Sequence, residues 1–390
     1  MTCPRRLRRP AALAVLVTTL AIVALAAPAA AQTRYIAFGD SITFGVGDDP
    51  NRAESGYPPR LQALLAFRGV SATVSNQGLP GEDTAGGLSR LDRVLAAGGD
   101  VLLLMEGTND VNEKVSVETT AFNLEAMAEK AAASGLSTVH LTVIPRMPDA
   151  NTDGSNRLTA ELAGRVRGLA WANGRKLADT FEVFFHETPN VFHLDYLGGT
   201  DKLHPNSAGY DLMAQIVDDA LAGIDRVPPV TGAIDPPDGA TDVSPDTKIL
   251  VTLYDFGAGI DLANTKLSIN GQEVDTPLSG DSKKAQILYT PPAPALGVVS
   301  VGLRSRDLAN PPNTVDRLIS QFQIAGTTFL PADFNHDGRV DGNDLARLAL
   351  AFGAHRFDSR FDLEVDLNGD GIIDGKDLAI LAADFGKSTF

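Results

Sequence analysis

Between residues 35 and 221, short apolar runs alternate with longer segments that have the periodicity of amphipathic helices. Apolar strands that alternate with helices are typical of a parallel sheet covered by helices on both faces. The sequence therefore predicts a three-layer α/β/α fold for this part of the chain. The predicted strands are residues 35–38, 72–75, 101–105, 138–144 and 183–185, and the predicted helices are residues 57–67, 88–96, 117–133, 157–177 and 207–221.

Four short polar motifs lie directly after the apolar runs or in loops of this segment. Catalytic residues of α/β enzymes commonly lie in loops at the strand ends. Open α/β sheets bind ligands at the carboxyl edge of their strands. The motifs therefore predict an active site. They are Gly39-Asp40-Ser41, residues 76–81 (Asn-Gln-Gly-Leu-Pro-Gly), residues 107–110 (Gly-Thr-Asn-Asp) and residues 201–205 (Asp-Lys-Leu-His-Pro).

Ser41, His204 and Asp201 are the residue types that nucleophilic catalysis requires. A serine hydroxyl is a weak nucleophile until a base within hydrogen-bond reach takes its proton. His204 is the candidate base, and Asp201 can hold its other ring nitrogen and stabilise the imidazolium. A serine where a strand turns into a helix can also direct its backbone N–H at a developing oxyanion. The Gly-x-Ser-x-Gly elbow of α/β-hydrolases is absent around Ser41.

The four motifs, in this order, resemble the four blocks of the SGNH (GDSL-type) hydrolase family over residues 34–223. The resemblance implies a flavodoxin-like fold and an ester hydrolase with three oxyanion donors. These donors are the N–H groups of Ser41 and Gly81 and the side-chain amide of Asn109. Without the resemblance, Gly81 is a turn glycine with positive φ and Asn109 is a turn or helix-cap residue. We interpret Asp40 and Asp110 as turn-forming residues that hold the loops.

The first 31 residues have the layout of a secretory signal peptide. Four arginines within the first nine residues precede an apolar stretch at residues 11–27, and alanines at 29–31 form a cleavage pattern. An uncleaved membrane anchor is the alternative, because the stretch approaches spanning length. Its alanine content and the cleavage pattern favour the signal peptide. We therefore expect a secreted protein, extracellular or attached to the cell surface, with Sec or twin-arginine export left open.

Composition excludes some classes of partner. The only cysteine, Cys3, lies in the predicted signal peptide, so the mature chain has no disulfide and no thiol chemistry. The formal net charge is −16 and becomes −20 when the four arginines of residues 1–31 are removed. Such acidity argues against nucleic acid and anionic membranes as partners.

From residue 227 to about residue 326, the helical periodicity gives way to short alternating runs separated by turn signals. This pattern predicts an antiparallel β-sandwich. Residues 255–261 (Asp-Phe-Gly-Ala-Gly-Ile-Asp), 269–271 and 307–310 resemble bacterial Ig-like repeats of secreted enzymes. We interpret the segment as a spacer, with carbohydrate binding as the alternative. The predicted strands are residues 248–253, 265–269, 285–289, 298–303 and 317–324.

An acidic motif of twelve residues occurs twice near the C-terminus, 33 residues apart. Oxygen side chains at loop positions 1, 3, 5, 9 and 12, with glycine at 6, are spaced as in a loop that wraps Ca²⁺. Position 7 supplies its backbone carbonyl. The sequence predicts two Ca²⁺ sites and no cofactor for catalysis. The predicted ligands are Asp333, Asn335, Asp337, Arg339, Asp341 and Asp344, and then Asp366, Asn368, Asp370, Ile372, Asp374 and Asp377.

Aspartate at position 12 and Pro331 before the first loop resemble the type I dockerin, a duplicated loop–helix module. The resemblance implies a cohesin-bearing scaffold or cell-surface protein as a partner. Positions 10 and 11, often a hydroxyl pair in that family, are Gly-Asn at 342–343 and Gly-Lys at 375–376. The partner is therefore left open. Removal of Ca²⁺ is expected to melt residues 330–386 and leave the hydrolase domain folded.

The sequence thus predicts a signal peptide (1–31), an SGNH hydrolase domain (32–225), an Ig-like β-sandwich (226–326) and a dockerin-like module (327–390). A secreted SGNH domain with a dockerin-like tail resembles carbohydrate esterases that remove acetyl groups from plant polysaccharides. The expected substrate is an acetylated polysaccharide or a small ester. One alternative is a lipase or lysophospholipase for longer acyl esters. The other is a non-enzymatic adhesion protein, against which the presence of Ser41, Asp201 and His204 argues.

Overall fold

The computed structural model describes residues 32–51, 54–146, 153–186, 203–292, 297–325, 330–335, 337–355, 360–362, 364–368 and 371–388. The predicted signal peptide lies outside these ranges. Within them, no helix combines the length and the apolar character needed to cross a membrane.

Residues 33–222, the α/β part of the chain, are built on a five-stranded parallel sheet with strand order β2-β1-β3-β4-β5. The strands are β1 Thr33–Gly39, β2 Ala72–Gly78, β3 Val101–Met105, β4 Ser137–Leu141 and β5 Lys176–Ala178. The helices are α1 Ser41–Phe44, α2 Tyr57–Phe67, α3 Thr84–Leu95, α4 Thr108–Glu113, α5 Val117–Ala133, α6 Asp153–Ala172, α7 Thr180–His186 and α8 Ser207–Ala222.

Alternate residues of the strands enter two separate cores, one on each face of the sheet. In β1, Tyr35 and Ala37 belong to the core that also contains residues of α2 and α8. Ile36 and Phe38 belong to the core that contains residues of α3, α5 and α6. Successive side chains of a strand point to opposite faces, so this division requires helices on both sides. The three-layer α/β/α prediction is confirmed.

One predicted strand is wrong. Residues 183–185 lie in α7, and the fifth strand is Lys176–Ala178, which the sequence had suggested as the end of a helix. Gly174, with φ +59°, ends α6 early, because its N–H bonds to the Trp171 carbonyl and the chain then turns into β5. A short apolar run such as 183–185 has no periodicity that separates a strand from a buried helical turn.

Residues 230–323 form the β-sandwich, whose two antiparallel four-stranded sheets have the orders β10-β11-β7-β6 and β13-β12-β8-β9. Apolar residues from both sheets, among them Val251, Leu253, Val301 and Phe322, form one core between them. The predicted β-sandwich fits this arrangement. The strands are β6 Val230–Asp235, β7 Ile249–Tyr254, β8 Lys266–Ile269, β9 Gln272–Val274, β10 Leu278–Gly280, β11 Lys284–Tyr289, β12 Val298–Arg306 and β13 Thr314–Gln323.

The C-terminal module, residues 330–388, contains α9 (Gly342–Ala351) and α10 (Gly375–Asp384), one after each acidic loop. Its two halves exchange contacts: Arg339 of the first loop bridges to Ser388 after α10, and Ile372 of the second bridges to His355 after α9. The two bridges are related by the 33-residue repeat, because Arg339 corresponds to Ile372 and His355 to Ser388. The sequence repeat is therefore also a structural one.

Buried ion pairs join the α/β part to the sandwich. Arg167 of α6 is almost fully buried and bonds to Asp179 at 2.7 Å and to Glu182 at 2.8 Å. It also donates a 2.8 Å hydrogen bond to the carbonyl of Thr231 in β6. Arg317 of β13 contacts the same Glu182 carboxylate at 2.9 Å. The charges compensate each other at the junction, as burial requires.

Candidate active site

Ser41 lies where β1 ends and α1 begins, at the carboxyl edge of the parallel sheet. Asp40 is the N-cap of α1, and its Oδ1 accepts a 2.8 Å hydrogen bond from the backbone N–H of Ile42. A Cβ at Gly39 would collide with the Met105 carbonyl of the neighbouring strand, so this tight turn requires glycine. The cap and the glycine together fix the direction of the Ser41 side chain.

Ser41 and His204 contact each other although 163 residues separate them in the sequence. Ser41 Oγ lies 2.8 Å from His204 Nε2, which is hydrogen-bond distance. In the loop after α1, Gly47 lies directly against His204, because a Cβ there would be 3.0 Å from His204 Cβ and 2.8 Å from the Pro205 carbonyl oxygen. The geometry allows His204 to receive the Ser41 proton.

Three side chains hold the segment that carries His204 onto the loop that follows Ser41. Tyr210 of α8 donates a 2.6 Å hydrogen bond to the Val46 carbonyl. Ser207, the first residue of α8, donates a 2.6 Å hydrogen bond to Asp48. Arg60 of α2 bonds to both oxygens of the same carboxylate, at 2.6 and 2.9 Å. The position of His204 is therefore set by contacts outside the four sequence motifs.

Sequence reasoning did not identify Asp48 or Arg60. Their side chains are 1% and 6% exposed. Burial alone would raise the pKa of Asp48, but hydrogen bonds from Arg60, Ser207 and the backbone outweigh it and hold this pKa far below its usual range. One signal was available in the sequence. Arg60 stands between apolar residues on the buried face of α2, where a charge requires a partner.

The two further oxyanion candidates lie in adjoining loops. Gly81 adopts φ +80°, the left-handed conformation that a turn glycine supplies. Asn109, at the start of α4, donates a 2.7 Å hydrogen bond from Nδ2 to the Glu82 carbonyl. An amide has two donor hydrogens, so this bond leaves Asn109 one more. The Leu79 N–H bonds to the Gly39 carbonyl at 2.8 Å, so hydrogen bonds link the first three motif loops.

An acidic and a basic side chain support these loops from beneath. Arg90 of α3 bonds to both oxygens of Glu82, at 2.6 and 2.7 Å, and to the Gln77 carbonyl at 2.8 Å. Its guanidinium carbon lies 3.9 Å from the centre of the Phe38 ring. Burial, and next the charge of Asp40, raise the pKa of Glu106 well above its ordinary value. Arg90 and Glu82, which support the loops, are absent from the four motifs.

Asp110 holds the loops, as the sequence predicts. Its Oδ2 accepts the Thr84 N–H at 2.9 Å, and its Oδ1 accepts the Thr84 hydroxyl at 2.5 Å and the Thr120 hydroxyl at 3.2 Å. It therefore fastens α4 to the starts of α3 and α5. Asp201, the predicted partner of His204, lies outside the described residues, and its role stays a prediction.

The first acidic loop folds around buried carboxylates. Asp344 is fully buried and accepts the backbone N–H groups of Phe334 and Asp341, both at 2.8 Å. Asp333 accepts the N–H of Gly338 at 2.8 Å, which closes the turn at position 6. The donors are carboxylate, amide and carbonyl oxygens, the ligand chemistry that Ca²⁺ prefers. The predicted donor set of this loop therefore fits a calcium ion.

The second loop repeats this geometry. Asp377 is fully buried and accepts the N–H of Asn368 at 3.2 Å and of Asp374 at 2.8 Å. Asp366 accepts the Gly371 N–H at 2.9 Å, the counterpart of the bond between Asp333 and Gly338. Asp370, predicted for position 5, lies outside the described residues. The described members of both loops thus have matching hydrogen bonds.

Comparisons with known proteins match two separate stretches of the chain. Residues 37–212 match the model of the GDSL-like Lipase/Acylhydrolase family, and residues 331–385 match that of the Dockerin type I domain, a kind of domain known to bind Ca²⁺. A stretch of 125 residues is 37% identical to Esterase TesA of Pseudomonas aeruginosa. That alignment covers 32% of this chain and 60% of the length of the relative.

Solved structures are similar over about half of the chain. A crystal structure of TesA is 24% identical and has a TM-score of 0.41, and the match covers 50% of this chain and 100% of the other. The lipase/acylhydrolase from Enterococcus faecalis is 23% identical with a TM-score of 0.41, over 49% of this chain and 96% of the other.

Proposed function

We propose that this chain, in which residues 37–212 match the GDSL-like lipase/acylhydrolase family and residues 331–385 the type I dockerin domain, is a secreted serine ester hydrolase. One observation carries the proposal: the 2.8 Å contact between Ser41 Oγ and His204 Nε2 at the carboxyl edge of a parallel sheet. The proposal assigns catalysis to residues 32–225, a spacer role to 226–326 and attachment to 327–390. The signal-peptide layout of residues 1–31 supports secretion.

In the proposed reaction, His204 takes the proton of Ser41 as Oγ attacks the acyl carbon of the ester. The negative charge on the carbonyl oxygen is stabilised by the N–H groups of Ser41 and Gly81 and the free amide hydrogen of Asn109. His204 then gives its proton to the departing alcohol oxygen, which leaves an acyl-enzyme on Ser41. A water molecule deprotonated by His204 attacks the acyl carbon, Ser41 Oγ leaves and takes the proton back from His204, and the acid is released. Asp201 would orient the imidazole through Nδ1.

We propose acetyl groups on a polysaccharide as the substrate. The dockerin domain supports this class, because attachment through it would hold the enzyme next to its polysaccharide substrate. Longer acyl esters, as for a lipase or lysophospholipase, are the second candidate, favoured by the family description that covers residues 37–212.

The test compares initial rates on nitrophenyl acetate and nitrophenyl octanoate for the mature chain, Ser41→Ala and Ser134→Ala. Ser134 is an exposed residue at the end of α5 and serves as the matched control. Activity on acetate that Ser41→Ala lowers by about 10⁴-fold or more, with Ser134→Ala unchanged, supports the deacetylase and leads to acetylated xylan. Preference for octanoate favours the lipase. Activity on neither substrate leaves the adhesion protein as the better account.

We further propose that both acidic loops bind Ca²⁺ and that the module then binds a cohesin-type partner. Apolar side chains remain exposed beside the loops at matched positions: Leu345 and Phe352 in the first half, Leu378 and Phe385 in the second. Pull-down of cohesin-bearing scaffold proteins should succeed with Ca²⁺ and fail with a chelator. The Asp344→Asn/Asp377→Asn chain should behave like the chelated protein, and binding that survives both treatments would refute calcium-dependent attachment.

A further inference from the structure

Three aspartates from separate segments meet at one end of the β-sandwich. Asp225 follows α8, Asp255 follows β7 and Asp307 follows β12. Each offers one carboxylate oxygen, and these three oxygens all lie within 4.8 Å of one another. Asp255 is 2% exposed and Asp307 1% exposed, while Asp225 is partly buried. The cluster is therefore not a set of solvated surface charges.

The Asp255 carboxylate is only half satisfied by the protein. Its Oδ1 accepts the backbone N–H groups of Gly257 and Gly259, both at 2.8 Å. Its Oδ2 is buried and has no hydrogen-bond partner in the described part of the chain. A buried acceptor without a partner is unfavourable, and more so when it is charged. This oxygen therefore points to a ligand that the protein itself does not supply.

The loop after β7 is shaped to admit the Asp225 carboxylate. A Cβ at Gly257 would collide with the Asp225 carboxyl group, so glycine is required at this position. Asp225 Oδ2 in turn accepts the Ala258 N–H at 2.5 Å. A residue that follows the α/β part is thereby held against the sandwich loop that contains Asp255.

Charge makes the cluster costly without a cation. Burial, opposed by two backbone hydrogen bonds and reinforced by the charge of Asp225, raises the pKa of Asp255 to about 6. Lys283 lies beside the loop, where its amine donates a hydrogen bond to the Gly257 carbonyl. The single positive charge of Lys283 can balance only one of the three carboxylates. The neighbouring arginine Arg306 is paired with Asp261 at 2.8 Å.

We propose that Asp225, Asp255 and Asp307 bind a calcium ion that fastens the end of the α/β part to the β-sandwich. Ca²⁺ coordinates oxygens at about 2.3–2.6 Å, so two oxygens that share one ion lie no more than about 5 Å apart. The three oxygens, which all lie within 4.8 Å of one another, meet this condition. Carboxylates without thiol or imidazole groups suit Ca²⁺ better than a transition metal. A calcium ion and Lys283 together carry three positive charges. These balance the three carboxylates and remove most of the repulsion between them.

The chain contains an optical probe for this site. Trp171 is its only tryptophan, and its ring lies 5.6 Å from Tyr254 and 6.1 Å from Phe256, the neighbours of Asp255 on either side. Residues 330–388 contain neither tryptophan nor tyrosine. Tb³⁺ replaces Ca²⁺ in oxygen sites and emits when a nearby excited tryptophan transfers energy to it. Emission excited through Trp171 therefore reports on the sandwich site.

The experiment uses the mature chain with Asp344→Asn and Asp377→Asn, so that the dockerin loops are disabled. Tb³⁺ should produce emission through Trp171 that excess Ca²⁺ removes. Asp255→Asn or Asp307→Asn added to this chain should lower the emission about tenfold or more at equal Tb³⁺. Asp261→Asn is the matched control, because this partly buried aspartate is paired with Arg306, and it should leave the emission unchanged.

Calcium content of the dockerin-disabled chain after dialysis is the second measurement, and it does not depend on whether the Asp255→Asn or Asp307→Asn variants fold. We expect one bound Ca²⁺ per chain. No bound calcium, no emission through Trp171, or emission that persists in both folded aspartate variants would each overturn the proposal. Ester hydrolysis, measured on the same samples, tests the active site separately.

Discussion

Ser207 Oγ donates a 2.6 Å hydrogen bond to Asp48 Oδ1. The bond connects the first residue of α8 with the loop that follows Ser41, and His204 lies three residues before Ser207 in the sequence. Arg60 covers the same carboxylate from α2. The contact between Ser41 and His204 therefore depends on a second contact, formed by residues that have no chemical role in ester hydrolysis.

Ser207→Ala should lower kcat with little change in KM, because it loosens the segment that carries His204. The lost hydrogen bond should cost about 1 kcal/mol of unfolding free energy. Steady-state kinetics and denaturant unfolding measure the two effects. Ser116→Ala is the control, since Ser116 caps α5 and its loss should cost a similar free energy without changing kcat. Equal losses of kcat in both variants would contradict the positioning role.

The low pKa of Asp48 makes a prediction about acid stability. Hydrogen bonds from Arg60 and Ser207 overcome the opposing effect of burial and depress this pKa in the folded state. An aspartate in the unfolded chain has a pKa of about 3.9. The stabilisation is therefore complete above about pH 5 and is lost as the pH falls through the folded pKa. The difference in unfolding free energy between the natural chain and Asp48→Asn should shrink below about pH 4.

Denaturant unfolding between neutral and acidic pH measures this difference. Asp211→Asn is the control, because Asp211 pairs with the same Arg60 but its side chain is 60% exposed. This variant should cost less than about 1 kcal/mol at every pH. A difference for Asp48→Asn that grows towards acid would show that another group dominates.

The parts of the molecule that short sequence patterns encode were predictable. The strand-and-helix alternation gave the three layers, and Ser41 and His204 were recognisable because each stands in a compact motif. Asp48 and Arg60 were not, because a buried ion pair between a loop and a helix has no fixed spacing. The strand at Lys176–Ala178 was missed because three residues are too few to show a period, and Gly174 alone marked the end of α6.

Gly47→Ala should impair catalysis through His204. The new Cβ would lie 3.0 Å from His204 Cβ and 2.8 Å from the Pro205 carbonyl oxygen, at a residue with φ +89°. Gly69→Ala separates strain from collision, because Gly69 has φ +76° and nothing within 4 Å of a Cβ. Both variants should lose about 1–2 kcal/mol from the left-handed backbone. Only Gly47→Ala should also lower kcat, and unchanged kcat in that variant would refute the close fit.

Glu182→Gln should destabilise both the α/β part and the sandwich. The carboxylate is fully buried and pairs with Arg167 and with Arg317, so its loss leaves buried positive charge uncompensated, at about 3–5 kcal/mol. Glu118→Gln is the matched control, because Glu118 pairs with Arg165 at an exposed site and should cost less than about 1 kcal/mol. Thermal unfolding compares them, and equal shifts in Tm would rule out a structural role for the buried cluster.

Chelation of Ca²⁺ should unfold the C-terminal module and leave ester hydrolysis intact. Asp333, Asp344, Asp366 and Asp377 are at most 9% exposed, and buried carboxylates that converge without a cation repel each other. Metal binding to such a module is coupled to its folding. Hydrogen exchange should therefore become fast in α9 and α10 after chelation and stay slow in α5. Exchange at α9 and α10 that is the same with and without chelator would mean that these loops fold without metal.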